Sequence, residues 1–248
     1  GREEVFVLQE PLHGVSLEEV FSREPGFTVE EVPTTIVYSR RFAVTGRVVA
    51  RALSALSGSL VPAYEVNEFL LFIAPYVESL GTVYAFLDNE DDARRVDDLS
   101  RVLGVRVVKF APGNVKGDVR LDEPLVLDSA VRSLKAIARR FPSKRSDTLL
   151  SSLNPEGITE FVKSKREEIG DREVLVSPVF FPANEVLGLK TVFDSPEKPE
   201  VAVVTSTADN LVARKKLFEL LRSGRRAKEV VIDVDPIVAP IYLLLVFS

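Results

Sequence analysis

The chain has no cysteine and no methionine, and histidine and glutamine each occur once, at His13 and Gln9. Without thiols and with a single imidazole, the usual zinc and transition-metal ligand sets cannot be assembled, so no metal is expected. A Ser-His-Asp triad would have to use His13, and no G-x-S-x-G elbow supports one. His13, before a glycine and a helix-like "SLEEVF", reads as a surface or capping residue or as the one functional imidazole. Long apolar runs are also missing. The longest, "PIVAPIYLLLVF" at 236–247, is far short of the ~20 residues that cross a bilayer and carries two prolines, so it reads as a buried element.

Basic excess is absent too. Lys and Arg total 32 against 37 Asp and Glu, a net charge of −5, so no chain-wide field would draw nucleic acid or acidic lipid. Neither G-x-G-x-x-G nor a P-loop lysine motif follows an expected strand, which disfavours nicotinamide and nucleotide cofactors, and none is expected. The start "GREEVFVLQE" lacks the basic and apolar regions of a signal peptide, and a cytoplasmic protein is expected. Few thermolabile side chains beside abundant Glu, Lys and Arg suggest a thermophilic source.

What is present is enough for a packed core. At 248 residues, 46% hydrophobic and 28% charged, the chain can bury roughly 70–75% of its unfolded surface without a staple. β-branched apolar runs alternate with helical stripes, the pattern of a parallel sheet covered by helices. Strands are predicted at 34–39, 59–66, 82–88 and 105–110. Helices are predicted at 44–56, at 67–80 (opened by Asn67 and disturbed at Pro75), over "EDDARRVDDLSRVLG" with Gly104 as its terminator, and at 124–141. Residues 111–123 read as a loop. The polar, proline-bracketed stretch 142–157 is the boundary candidate. Beyond it the alternation resumes: helix 156–169, strand 173–180, strand 200–206, helix 209–223, strand 228–234 and the apolar tail. The expectation is an α/β protein of two αβα subdomains, 1–142 and 143–248, each a parallel sheet flanked by helices.

Loops at the C-terminal ends of such strands are where ligands bind in open α/β sheets. Arg40 and Arg41 of "SRRF" follow the first strand and read as substrate contacts or as solvated side chains. In "TSTADN", Thr205, Ser206 and Thr207 precede a basic helix carrying Arg214, Lys215 and Lys216. They read as an anion cradle or as a helix cap by Thr207 or Asp209 worth about 1 kcal/mol.

The end of the chain, "EVAVVTSTADNLVARKKLFELLRSGRRAKEVVIDVDPIVAPIYLLLVF", resembles the C-terminal part of archaeal bifunctional phosphoglucose/phosphomannose isomerases, which are built from two sugar isomerase (SIS) domains. "TTIVYSRRFAVTGRVVARAL" is similar to that family's strand, glycine-rich loop and helix. "TVYAFLDNEDDARRV" is similar to its strand, sugar-phosphate loop and helix. "PANEVLG" resembles the family's Asn-His-Asn-Glu segment at Asn184, Glu185 and Gly188, with Ala183 where the family has its ring-opening histidine. A second register matches the family's Asn-Glu-Asn-Ala-Lys segment at Asn184 and Glu185, with Lys190 displaced.

The resemblance implies SIS-like subdomains, a homodimer and aldose-ketose isomerisation of a hexose 6-phosphate. Glu185 would be the general base, and Ser39, Arg40, Arg41, Thr45, Asn184, Lys190, Thr205, Ser206 and Thr207 would bind a sugar phosphate. Its departures point elsewhere. The first loop keeps only Gly46. In the second, Asp88, Glu90, Asp91 and Asp92 stand where a phosphate should sit, and their repulsion outweighs a helix-dipole benefit of roughly 0.3–1 kcal/mol. The alternative is a non-catalytic sugar-phosphate-binding or regulatory protein on the same fold, with Glu185 in an ordinary ion pair with Lys190.

Overall fold

The structure, a computed structural model, describes residues 14–248, so His13 lies outside the described residues. Among these residues the chain forms two compact units, 14–155 and 156–248. The division falls inside the polar 142–157 stretch. Much of that stretch is nonetheless a helix, because Ser143 and Ser146 form a reciprocal capping box that starts one.

In the N-terminal unit, α1 (Leu17–Phe21) leads to β1 (Thr35–Tyr38), a 3-10 turn (Arg40–Phe42) and α2 (Ala43–Ser57). Next come β2 (Ala63–Glu65), α3 (Val66–Glu68) running into a π-helical Phe69–Ile73, β3 (Val83–Phe86), α4 (Glu90–Leu103) and β4 (Val107–Pro112). β5 (Val119–Leu121), α5 (Leu125–Arg140) and α6 (Lys144–Ser151) complete the unit. All strands are parallel, in the order β2-β1-β3-β4-β5.

β3 is buried on both faces, which is why it reads as an unbroken apolar run. Val83, Ala85 and Leu87 pack with Val37, Val66, Phe69, Val96 and Ala111. Tyr84 and Phe86 point the other way and meet Phe110, whose ring centroid is 4.5 Å from that of Phe86.

Three details differ from expectation, the first being that the helix expected over 67–80 ends with its π-helical part at Ile73. The helix expected to open at Asn67 starts one residue earlier, because the Glu65 carboxylate accepts the Asn67 and Glu68 N–H groups and caps it. The expected loop 111–123 contains β5, only three residues long and held in register by Phe110, Ala111 and Pro112 of β4.

The C-terminal unit has α7 (Ile158–Ile169), β6 (Glu173–Val176), a 3-10 turn (Pro178–Phe180), α8 (Phe181–Leu187), β7 (Lys190–Thr191), β8 (Glu200–Thr205), α9 (Asn210–Arg222), β9 (Arg226–Val231) and α10 (Ala239–Val246). Its strands are also parallel, in the order β7-β6-β8-β9, so this sheet repeats the first four positions of the other. The predicted strand 173–180 stops at Val176 because Pro178 begins the 3-10 turn. The apolar tail forms α10, buried along its whole length. Arg166 of α7 donates to the carbonyls of Leu245, Val246 and Ser248, supplying partners that the end of a helix lacks.

The fold is therefore the expected α/β arrangement of two subdomains, each a parallel sheet flanked by helices. In both sheets the strand order reverses between the first and third strands in sequence. Such reversals, here β1/β3 and β6/β8, are where open α/β sheets bind ligands.

Candidate functional site: two strand-order reversals

At the β1/β3 reversal, the Ser39 N–H donates to the Phe86 carbonyl at 2.8 Å, tying the end of β1 to β3. Ser39 is buried, and its hydroxyl donates to Asp92 Oδ2 at 2.8 Å. Asn89 caps α4 by accepting the Asp92 N–H, while its amide nitrogen donates to Asp88 Oδ1 and Asp92 Oδ2. In the "DNEDDA" loop Asp88, Asn89 and Asp92 thus bond to one another and to Ser39, while Asp91 and Asp92 also pair with Arg94 and Arg95 of α4.

The β6/β8 reversal is arranged in the same way with different residues. Asp209 Oδ2 accepts the Val179 N–H at 2.8 Å, and Oδ1 accepts the Ser206 N–H at 3.1 Å and the Ser206 hydroxyl at 2.9 Å. Thr205 Oγ1 lies 3.3 Å from the same Oδ1 and 3.1 Å from the Ser206 carbonyl. Asp209 occupies the N-cap position of α9 without capping it, contrary to the expected cap by Asp209 or Thr207. Its carboxylate turns back toward the strand ends, where it meets more donors. Thr207 is exposed beyond this cluster.

The remaining expected contacts lie elsewhere. Thr45 is fully buried in α2, with its hydroxyl 2.9 Å from that of Ser129 and 3.3 Å from the Val126 carbonyl, so it joins α2 to α5. Gly46 is not a loop glycine either. It lies inside α2, where an added Cβ would be 2.5 Å from the Tyr38 ring, so its task is close packing of helix on strand. Arg40 is exposed and Arg41 half-buried in the 3-10 turn after Ser39.

Glu185 is exposed on α8. Asn184 beside it exchanges two 2.8 Å hydrogen bonds with the backbone of Leu189, closing the turn that Gly188 makes at φ 65°. Ala183 is completely buried, so the position matched to a catalytic histidine faces the core. Lys190 pairs with Glu173 and Glu197 and donates to the Ser195 carbonyl. Burial would raise the Glu173 carboxyl, but the Lys198 and Glu197 amides and the Lys190 ammonium hold it below its ordinary value. The structure therefore brings Thr205 and Ser206 together around Asp209, and sets Asn184 and Lys190 to work in their own turns.

Asp92 and Asp209 are the residues that sequence reasoning missed as organisers. Their signal was legible as a shared spacing, Asn89-x-x-Asp92 and Ser206-x-x-Asp209, each at a strand-to-helix junction.

No family model matches the chain, and no curated protein is detectably similar to it in sequence. Solved structures are similar in three dimensions. One is glucosamine-6-phosphate deaminase from Thermotoga maritima, with a TM-score of 0.60 and 11% identity over 99% of this chain and 92% of that one. The fold is shared with sugar-phosphate enzymes. Tagatose-6-phosphate ketose/aldose isomerase from Escherichia coli gives a TM-score of 0.52 and 10% identity over 99% of this chain and 84% of that one. A glucose-6-phosphate isomerase like protein from Thermus thermophilus gives 0.52 and 17% over 99% and 88%. Identities this low establish architecture and leave chemistry to the residues. No helix among the described residues is long and apolar enough to cross a membrane.

Proposed function

We propose that this chain is a sugar-phosphate isomerase-like protein that kept the fold and lost the chemistry, a divergent relative of the archaeal phosphoglucose/phosphomannose isomerases that acts by binding or regulation. One observation carries the reading: in both units an aspartate of the chain itself accepts the donors at the strand-order reversal. A hexose-phosphate isomerase needs those donors for its substrate, together with a base and a ring-opening acid. Here Glu185 is exposed, and its neighbour Ala183 is buried and carries no proton to give. The fold neighbours support a sugar phosphate as the ancestral ligand. A homodimer is supported by the exposed Leu71, Phe72 and Tyr76 clustered around the π-helical segment.

The test is a turnover assay at elevated temperature, with fructose 6-phosphate as substrate and glucose 6-phosphate and mannose 6-phosphate as products. The expected result is no turnover above buffer, unchanged in Glu185→Gln. Turnover by the native chain that falls 100-fold or more in Glu185→Gln, the scale of a lost general base, would restore the isomerase reading.

A further inference from the structure

We propose that the outward face of α9 docks on an anionic lipid surface, a peripheral contact separate from the strand-order reversals and independent of whether the chain turns over a sugar phosphate. The chain as a whole is acidic, but its cations are not spread evenly. Residues 210–228 carry seven Lys and Arg against one carboxylate, Glu219, a local charge of +6 in a chain whose total is −5. This stretch comprises α9, the turn after it and the start of β9, the edge strand of its sheet.

α9 packs on the sheet through Ala213 and Leu220, which join Leu175, Val192, Val201 and Val203 in one core cluster. On the opposite side Leu211, Lys215, Phe218 and Arg222 recur at i, i+4, i+7 and i+11, a single line about 16 Å long. Leu211 is 77% exposed, Phe218 56% and Leu221, beside that line, 47%. Apolar side chains on the crest of a helix add nothing to the core beneath it, and grouped in this way they mark a contact surface. Ion pairs within the unit occupy the cations at the margins: Arg214 with Glu229 at 3.7 Å, Lys216 with Glu219 at 3.5 Å and Arg226 with Glu200 at 3.2 Å. Lys215 and Arg222, on the crest, have no ion pair or hydrogen bond among the described residues.

Apolar tips alternating with unpaired cations match the chemistry of a lipid interface. Leu and Phe enter the boundary between headgroups and acyl chains, while the long Lys and Arg stems carry their charge back to the lipid phosphates. Other occupants fit less well. Nucleic acid would take the cations and leave Leu211 and Phe218 against its charged backbone. A second copy meeting this face with its own would set cation against cation.

The experiment is flotation of the full chain with vesicles of phosphatidylcholine alone or mixed equally with phosphatidylglycerol, at low and high salt. The native chain should float with the mixed vesicles only, and less of it as salt rises. Lys215→Gln and Arg222→Gln should each weaken partitioning about 5-fold, and Phe218→Ser about 10-fold or more. All three positions are exposed, so the variants should melt with the native chain. Arg101→Gln, the same charge change on the exposed surface of α4, should leave partitioning unaltered. No flotation of the native chain with mixed vesicles at low salt overturns the proposal, as does flotation that the α9 variants leave intact. Retention by a DNA duplex or by polyglutamate without flotation also overturns it, assigning the face to nucleic acid or to an acidic polypeptide. So does a change of oligomeric mass in Phe218→Ser without flotation, which assigns the face to a second copy.

Discussion

Replacing Asp128 tests the way the N-terminal unit is fastened. Asp128 of α5 is completely buried, and its two oxygens accept from Arg23 Nη1 and Arg132 Nη1 at 2.9 Å and from the Asp122 N–H at 2.8 Å. The arginines are held further by carbonyls: Arg132 by Pro25 and Arg120, Arg23 by Glu123. Lys135 adds bonds to the carbonyls of Phe21 and Arg23. α5 thus holds the segment around residues 21–26 by charged hydrogen bonds, with Asp128 as the sole carboxylate between two guanidinium groups.

Removing one partner of a buried ion pair typically costs about 3–5 kcal/mol, because the other charge is left behind. Here both arginines keep carbonyl acceptors, which places Asp128→Ala near the lower end, at about 3 kcal/mol. For a chain of this size that is a fall in melting temperature of about 6–12 °C. Asp128→Asn keeps an acceptor for the Asp122 N–H and should fall less. Thermal unfolding followed by circular dichroism measures both, and a cycle with Arg132→Ala should show coupling of at least ~1 kcal/mol. An Asp128→Ala protein melting within about 2 °C of the native chain, or a cycle without coupling, would refute the reasoning.

Two further outcomes follow from the same structure. Gly46→Ala should destabilise by about 1–3 kcal/mol in chemical denaturation, since the new methyl would meet the Tyr38 ring at 2.5 Å, and Tyr38→Ala should relieve much of that clash. The Glu173 and Asp194 carboxyls are held below their ordinary values of 4.5 and 3.8, the latter by the Thr191 amide and hydroxyl. A depressed folded value means that their contribution is complete above those values and is lost as pH falls through the lower folded ones. The acid limb of a stability-versus-pH curve should therefore flatten below about pH 4.5 in Glu173→Gln, and an unchanged limb would count against the assignment.

Much of the fold could be read directly. β3 and β8 are apolar runs with strand-forming residues, Gly104 ends its helix in the left-handed region at φ 65°, and "APIYLLLV" forms a helix buried on every side. β5 and β7 escaped because three and two residues are too few to show a period; pairing with β4 and β6 makes them strands. The candidate site was less legible. Thr45 was expected, by resemblance, to contact a sugar phosphate, but α2 packs it against α5, and Lys190 stood near Glu185 in sequence but pairs with Glu173 and Glu197.

The amino-acid order by itself determined the alternation of strands and helices, the polar junctions at the strand ends, and the presence of an alanine at position 183. Those properties depend on local periodicity, turn chemistry and residue identity. Only the tertiary structure decided that Asp92 meets Ser39 across 53 residues and that Asp209 meets Val179 across 30, because strand order alone brings those junctions together. The stretch "FPANEVLGLK" marks the same division. Its letters carry the likeness to an isomerase segment, while the folded chain buries Ala183 and commits Asn184 to closing a turn.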